Sequence, residues 1–210
     1  MHDTAPQNLH ENAAFSLGLV TDTAAIADLP ARERILATAH RLFYRDGLRA
    51  TGVDRLIAES GVAKLTFYRH FAAKDDLLRL YLEDRHGRWI AWLSDALKHH
   101  ESASPARFGP LLAAMREWFE APVFRGCAFI NAVAEVADSL PGAMEISRRH
   151  KADMVKVIAR LLPADERQLG TAQAAAVAVD GAIVQAQLNG GEAAIRSLGL
   201  LLAALENATP

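Results

Sequence analysis

Residues 61–77 read GVAKLTFYRHFAAKDDL. Within seven positions this stretch places Lys64, Thr66, Phe67, Tyr68, Arg69, His70 and, just beyond, Phe71; a new helix then opens on Lys74. A buried helix would not carry so many hydrogen-bond donors. A plain solvent-facing helix would have no use for Phe67, Tyr68 and Phe71. The combination points to a short helix anchored by aromatics that presents donors to something polar and anionic.

The flanks organise around this helix. Ile35, Ala39, Leu42 and Phe43 recur at the i, i+4, i+7, i+8 spacing of one helix face, and Gly47 is expected to end that helix in a left-handed cap. Thr51 is expected as the N-cap of a second short helix, with Val53, Leu56 and Ile57 on its apolar side. Gly61 supplies the sharp turn into the third helix, Lys64 to His70. Ala72-Ala73 is a brief break, and a long fourth helix runs from Lys74 to about His99. At 1.5 Å per residue it is roughly 35–40 Å long. Leu77, Leu78, Tyr81, Leu82, Arg85, Trp89, Trp92 and Leu93 supply its packing faces.

A packing helix followed by two short helices around a Gly turn is a helix-turn-helix arrangement, whose second helix enters the DNA major groove. Val53, Leu56, Ile57, Val62, Phe67 and Phe71 would hold the three helices together. Lys64, Thr66, Tyr68, Arg69 and His70 are left facing outward. Lys64 and Arg69 suit guanine O6/N7 or phosphate. Thr66 suits phosphate or a thymine methyl, and Tyr68 suits phosphate. Thr51 and Lys74 each begin a helix, where free N–H groups and the positive dipole end favour anions.

Residues 32–77 resemble the DNA-binding domain of the tetracycline-repressor (TetR) family, through the text RILATAHRLFYRDGLRATGVDRLIAESGVAKLTFYRHFAAKDDL. The matching features are the Phe43…Gly47 helix end, the Thr51…Val53 opening, the Gly61-Val62 turn and Thr66-Phe67-Tyr68-Arg69-His70-Phe71 followed by Lys74. The resemblance implies backbone-phosphate roles for Tyr68, Thr51 and Lys74, and places near the bases for Lys64, Leu65, Thr66 and His70. It implies an all-α fold: an N-terminal three-helix DNA-binding domain, then a helical ligand-binding and dimerisation bundle. It also implies a homodimer paired through the last two helices, about 165–206. Three positions depart from the family pattern. Ile57 stands where a small Ala is common, Ala63 replaces a Ser/Thr cap, and Leu65 replaces a frequent Gly or Ala.

Composition agrees with that division. The chain has 210 residues, of which 51% are hydrophobic, and a net charge of −2. Residues 31–90 carry twelve Lys/Arg against eight Asp/Glu, and the remainder eleven against seventeen, so a basic module is joined to an acidic one. The domains expected are a disordered arm at 1–30, the DNA-binding domain at 31–76 and the ligand-binding and dimerisation domain at 77–210. No uninterrupted apolar run reaches 18 residues, so no membrane span is expected. The first twenty residues contain no Lys or Arg, which argues against a secretory signal. Cys127 is the only cysteine, which excludes a disulfide within the chain and fits a cytoplasmic protein.

Beyond the fourth helix, helices are expected at about Ala106–Glu120, Cys127–Ser139, Pro141–Leu162, Asp165–Leu188 and Glu192–Glu206. The last two are apolar on more than one face and so need partners on two sides. Within RGCAFINAVAEV (125–136), Cys127, Asn131 and Glu135 share one helix face at i, i+4, i+8. That polar stripe either lines a ligand pocket or forms a buried hydrogen-bonded set. Trp89, Trp92, Met115, Trp118, Phe119 and Phe129 are candidate pocket residues, each with plain core as its competing reading, and Gln185 interrupts an apolar helix at either the pocket or the dimer seam. The adjacent His99 and His100 lack the i, i+4 spacing of a helical metal site. No nucleotide loop, nucleophile elbow or convincing carboxylate pair is present. No metal, no cofactor and no enzymatic activity are therefore expected. The partners expected are an operator duplex and a small-molecule effector. The function expected is a ligand-responsive repressor on a palindromic operator. A constitutive DNA-binding protein and an all-helical enzyme remain as alternatives.

Overall fold

The computed structural model describes residues 26–101 and 106–208. Among them are nine helices and no strand: α1 (Ala31–Asp46), α2 (Val53–Ser60), α3 (Lys64–His70), α4 (Lys74–His100), α5 (Gly109–Glu120), α6 (Ala128–Val136), α7 (Pro141–Ala159), α8 (Gln168–Asn189) and α9 (Gly191–Asn207). Most of the expected N-terminal arm, and most of the polar break after α4, lie outside the described residues. Ile26, at the end of that arm, is buried.

Periodicity explains α1 directly: Ile35, Ala39, Leu42 and Phe43 all face inward. Its end differs from expectation. Gly47 has φ 96° and ψ 158°, which is not the left-handed helical cap but an extended positive-φ conformation that is nearly glycine-only. Thr51 is not the N-cap of α2. Gly52 holds that position, without a side-chain cap bond. The Thr51 hydroxyl instead donates to the Gly47 carbonyl at 2.8 Å, and the residue is fully buried, so it closes the α1–α2 loop from inside. Gly61 is left-handed as expected, with φ 64° and ψ 28°.

The 27-residue α4 spans about 40 Å and is the spine of the molecule. Its first turns pack on α1, and the rest packs on α5 and α7. Six of the expected pocket residues prove to be buried structural groups. Trp89, Trp92 and Trp118 cluster with centroids 5.6–6.0 Å apart. Phe119 joins Trp118 at 5.9 Å, and Met115 and Cys127 are equally buried. Large rings at these positions pack in the α4–α5 seam. Gln185 is exposed on α8, where its side-chain oxygen accepts from Asn189. The α8–α9 pair has the most extensive packing in the fold, with α9 turning back after the single residue Gly190.

Candidate nucleic-acid interface and effector cavity

α3 is only seven residues long, too short to be stable alone. Its tertiary anchors are Phe67, fully buried, and Phe71, nearly so. The two rings lie 6.0 Å apart on a helix that packs against α1 and α2. With that side fixed, Lys64, Leu65, Tyr68, Arg69 and His70 are exposed and Thr66 is half-buried. Leu65 is 73% exposed, an uncommon position for an apolar side chain with nothing to cover it. Ala63 is the N-cap and supplies no side-chain bond, leaving the first N–H groups of α3 without side-chain capping.

Lys74 opens α4 as expected, but its ammonium is engaged. Nζ donates to the Leu48 carbonyl at 2.6 Å and lies 6.0 Å from the Phe43 ring centroid. Burial lowers its pKa from the ordinary 10.5. The Asp76 carboxylate accepts from the Ala73 N–H at 3.2 Å, closing the start of the helix. Lys74 therefore braces the α1–α2 loop and has donors left over. Lys64 is freer: its nearest acid is Asp54, at 3.9 Å. A network of Arg41, Arg45, Arg55, Asp46 and Glu59 pins α2 to α1. The bond from Arg45 holds the Asp46 carboxyl at about 2.

Two side chains of the polar stripe on α6 are engaged by backbone groups. Asn131 donates to the Arg125 carbonyl at 3.3 Å, and Glu135 accepts from the Arg49 N–H at 2.9 Å. Tyr44 adds a second tie: its hydroxyl donates to the Gly126 carbonyl at 2.9 Å and accepts from the Arg125 N–H at 3.0 Å. Arg85 lies over the Tyr44 ring at 4.1 Å. Glu135 thus meets the α1–α2 loop, and Asn131 meets the backbone just before α6.

A cavity of about 500 Å³ does exist, between α6, α7 and α8. Phe129, Ile130 and Val133 of α6 line it, with Met144, Arg148 and Lys151 of α7 and Gln173 of α8. Of the pocket walls expected from sequence, Phe129 is among the residues lining it, and the others are not. At 100° per residue, Val133 lies about 160° around the helix from Asn131, so Asn131 and Val133 sit on opposite faces of α6. The missed signal was on α7, where Met144, Arg148 and Lys151 recur at helical spacing. Among the described residues, no group of three His, Cys, Asp or Glu side chains is placed to hold a metal. No described helix is long and apolar enough to cross a membrane.

The family model "Bacterial regulatory proteins, tetR family" matches residues 35–81. The crystal structure of SCO4454, a TetR-family transcriptional regulator from Streptomyces coelicolor, superposes with a TM-score of 0.71 at 30% identity, over 85% of this chain and 95% of that one. The chain belongs to the TetR family. Among curated relatives, the HTH-type transcriptional regulator YerO of Bacillus subtilis is 43% identical over 47 residues, which is 22% of this chain and 16% of that protein. That match thus spans about a sixth of YerO's length. The fold also matches the TetR-family regulator CifR, solved with 26-base-pair operator DNA, with a TM-score of 0.64 at 19% identity, over 84% of this chain and 95% of that one.

Proposed function

We propose that this TetR-family chain is a cytoplasmic, ligand-responsive transcriptional repressor that binds a palindromic operator as a homodimer. The observation that carries the reading is the exposed edge of α3. Leu65, Tyr68, Arg69 and His70 project from a helix whose other side is locked by Phe67 and Phe71. Lys64, Leu65, Thr66 and His70 approach base edges, while Tyr68, Arg69 and Lys74 contact phosphates. Thr51, with its hydroxyl committed to Gly47, is left with a backbone role beside the phosphate path.

Pairing through α8 and α9 is supported by their uncovered apolar side chains: Leu169, Val177, Val184 and Leu188 on α8, and Leu200 and Leu201 on α9. The cavity between α6, α7 and α8 favours a ligand-responsive protein over a constitutive one. The resulting role is binding and release, with no catalysis.

Operator selection from random duplexes, followed by anisotropy titration of the enriched sequence, tests this. The expected result is a two-fold-symmetric site bound by two chains, with Tyr68→Ala weakening binding by tenfold or more, on the order of 1.4 kcal/mol. No enrichment at low ionic strength would overturn it.

A further inference from the structure

The walls of the α6–α7–α8 cavity are chemically lopsided. The α6 side is apolar, formed by Phe129, Ile130 and Val133, and Met144 continues it on α7. The charged side chains lining it are both cations, Arg148 and Lys151, three positions apart on one helix and so on one face. Arg148 makes no ion pair with another described residue. Lys151 donates to Asp180 at 2.5 Å and reaches the Cys127 sulfur at 3.6 Å. An ammonium has three donors, so one remains. Burial opposes the charge on Lys151, but the neighbouring Cys127 sulfur and Asp180 outweigh it and raise its pKa. Asp180 offsets one positive charge, and Arg148 supplies a second that no ion pair with a described residue offsets.

Charge and shape together select the occupant. A guanidinium presents a planar fork that matches a carboxylate, and the apolar walls match a hydrocarbon or aromatic body. A cationic ligand would meet the Arg148 charge in a partly desolvated site. We propose that the cavity binds an amphipathic anion, a carboxylate on an apolar body of about ten carbons, with the carboxylate on Arg148 and the body against Phe129, Val133 and Met144. The proposal rests on reading the chain as a ligand-responsive regulator. Occupancy presses on the face of α6 opposite Glu135, the residue that holds the α1–α2 loop.

The test is calorimetry on the full chain with decanoate, decanol and decyltrimethylammonium, each below its micelle concentration. The expected order is decanoate about tenfold or more tighter than decanol, with the cation weakest. Arg148→Gln should bring decanoate and decanol together, Arg148→Lys should restore part of the gap, and Val133→Trp should abolish binding by filling the cavity. Operator affinity of unliganded Arg148→Gln should match that of the parent protein, which shows that it has folded. Equal binding of the three probes, a preference for the cation, or no decanoate binding below about 1 mM would overturn the proposal. If an operator is bound while decanoate is ignored, the ligand class falls and the regulator stands. If decanoate binds with the expected preference while every duplex is ignored, the ligand class stands and the regulator reading falls.

Discussion

Glu135 Oε2 accepts a hydrogen bond from the backbone N–H of Arg49 at 2.9 Å, joining residues 86 positions apart. A Cβ placed on Gly47 would sit 3.1 Å from that same oxygen. The last turn of α6 therefore abuts the loop that connects α1 to α2, at the one glycine whose backbone dihedrals let the chain pass. Two residues back along α6, Val133 lines the cavity. One short helix thus touches both the cavity and the unit that carries α3.

Removing the Glu135 carboxylate should loosen this joint without unfolding the protein. Glu135→Ala leaves the Arg49 N–H without its acceptor, a loss of about 1 kcal/mol for a partly solvated bond. Hydrogen exchange of residues 47–51 should quicken, while exchange in the α8–α9 pair stays unchanged. Glu135→Gln, which keeps a carbonyl acceptor, should fall between the two. Unchanged exchange at Arg49 in the alanine variant would mean the bond contributes nothing to holding the loop.

The two lysines flanking α3 should separate by their surroundings. Lys64 is exposed and only loosely near Asp54. Lys64→Ala should cost about 1–3 kcal/mol of operator binding and relax selectivity at one base pair, with stability changed by no more than about 0.5 kcal/mol. Lys74 also braces the Leu48 carbonyl. Lys74→Ala should weaken DNA binding and lower the melting temperature as well. A variant with weakened binding and unaltered melting would show that the Leu48 bond is dispensable, leaving Lys74 purely a phosphate contact.

The α1–α3 unit was legible in sequence because its signals are local. Gly61 needs a positive φ, Phe67 and Phe71 need burial, and the donors between them need solvent or a partner. The α6–α7–α8 cavity was not legible. A polar stripe on a helix states that its face meets something polar, and Asn131 and Glu135 meet backbone groups as well as they would meet a ligand. Likewise nothing in a Trp89…Trp92…Trp118 pattern distinguishes a packed seam from a pocket wall, since both bury rings. The end of α1 was misjudged for a similar reason. Glycine permits several positive-φ conformations, and the Glu135 contact that accompanies the one adopted comes from a residue distant in sequence.

Acid should destabilise the protein in a window set by its histidines. Burial, aided by the charges of Lys151, His86 and Arg85, holds His150 well below the ordinary 6.5. Its ring stacks on Phe129 at 3.7 Å and its Nδ1 lies 3.4 Å from that of His86. Burial lowers His40 and His86 too. Each folded-state pKa is depressed, so below about 6.5 the unfolded chain takes up protons that the folded chain refuses, and stability falls as pH falls. The carboxyls of Asp46 and Asp84, held at about 2 against an ordinary 3.8, add their loss only at lower pH. Melting temperatures should therefore drop between pH 7 and pH 5, and His150→Phe, which keeps the ring stack, should shrink that drop. An identical profile in the variant would remove His150 as a contributor.

The uncovered face of α8 and α9 should be where two copies meet. Leu188 is 72% exposed and Leu200 is 76% exposed, and neither has a fold-internal reason to be leucine. Val177, Val184 and Leu188 continue one row along α8 at spacings of seven and four, which keeps them on a single helix side. Apolar rows of this kind mark association surfaces when they are contiguous. Leu188→Asp combined with Leu200→Asp would bury carboxylates without partners in such an interface, while leaving the chain's own core untouched. The double variant should sediment as a monomer at micromolar concentration, with the helical content of the parent. It should also bind a palindromic operator more than about tenfold less tightly, because each half-site must then capture its chain independently. A variant that still sediments as a dimer would place the contact elsewhere. A parent protein that is itself monomeric would take the palindromic operator with it.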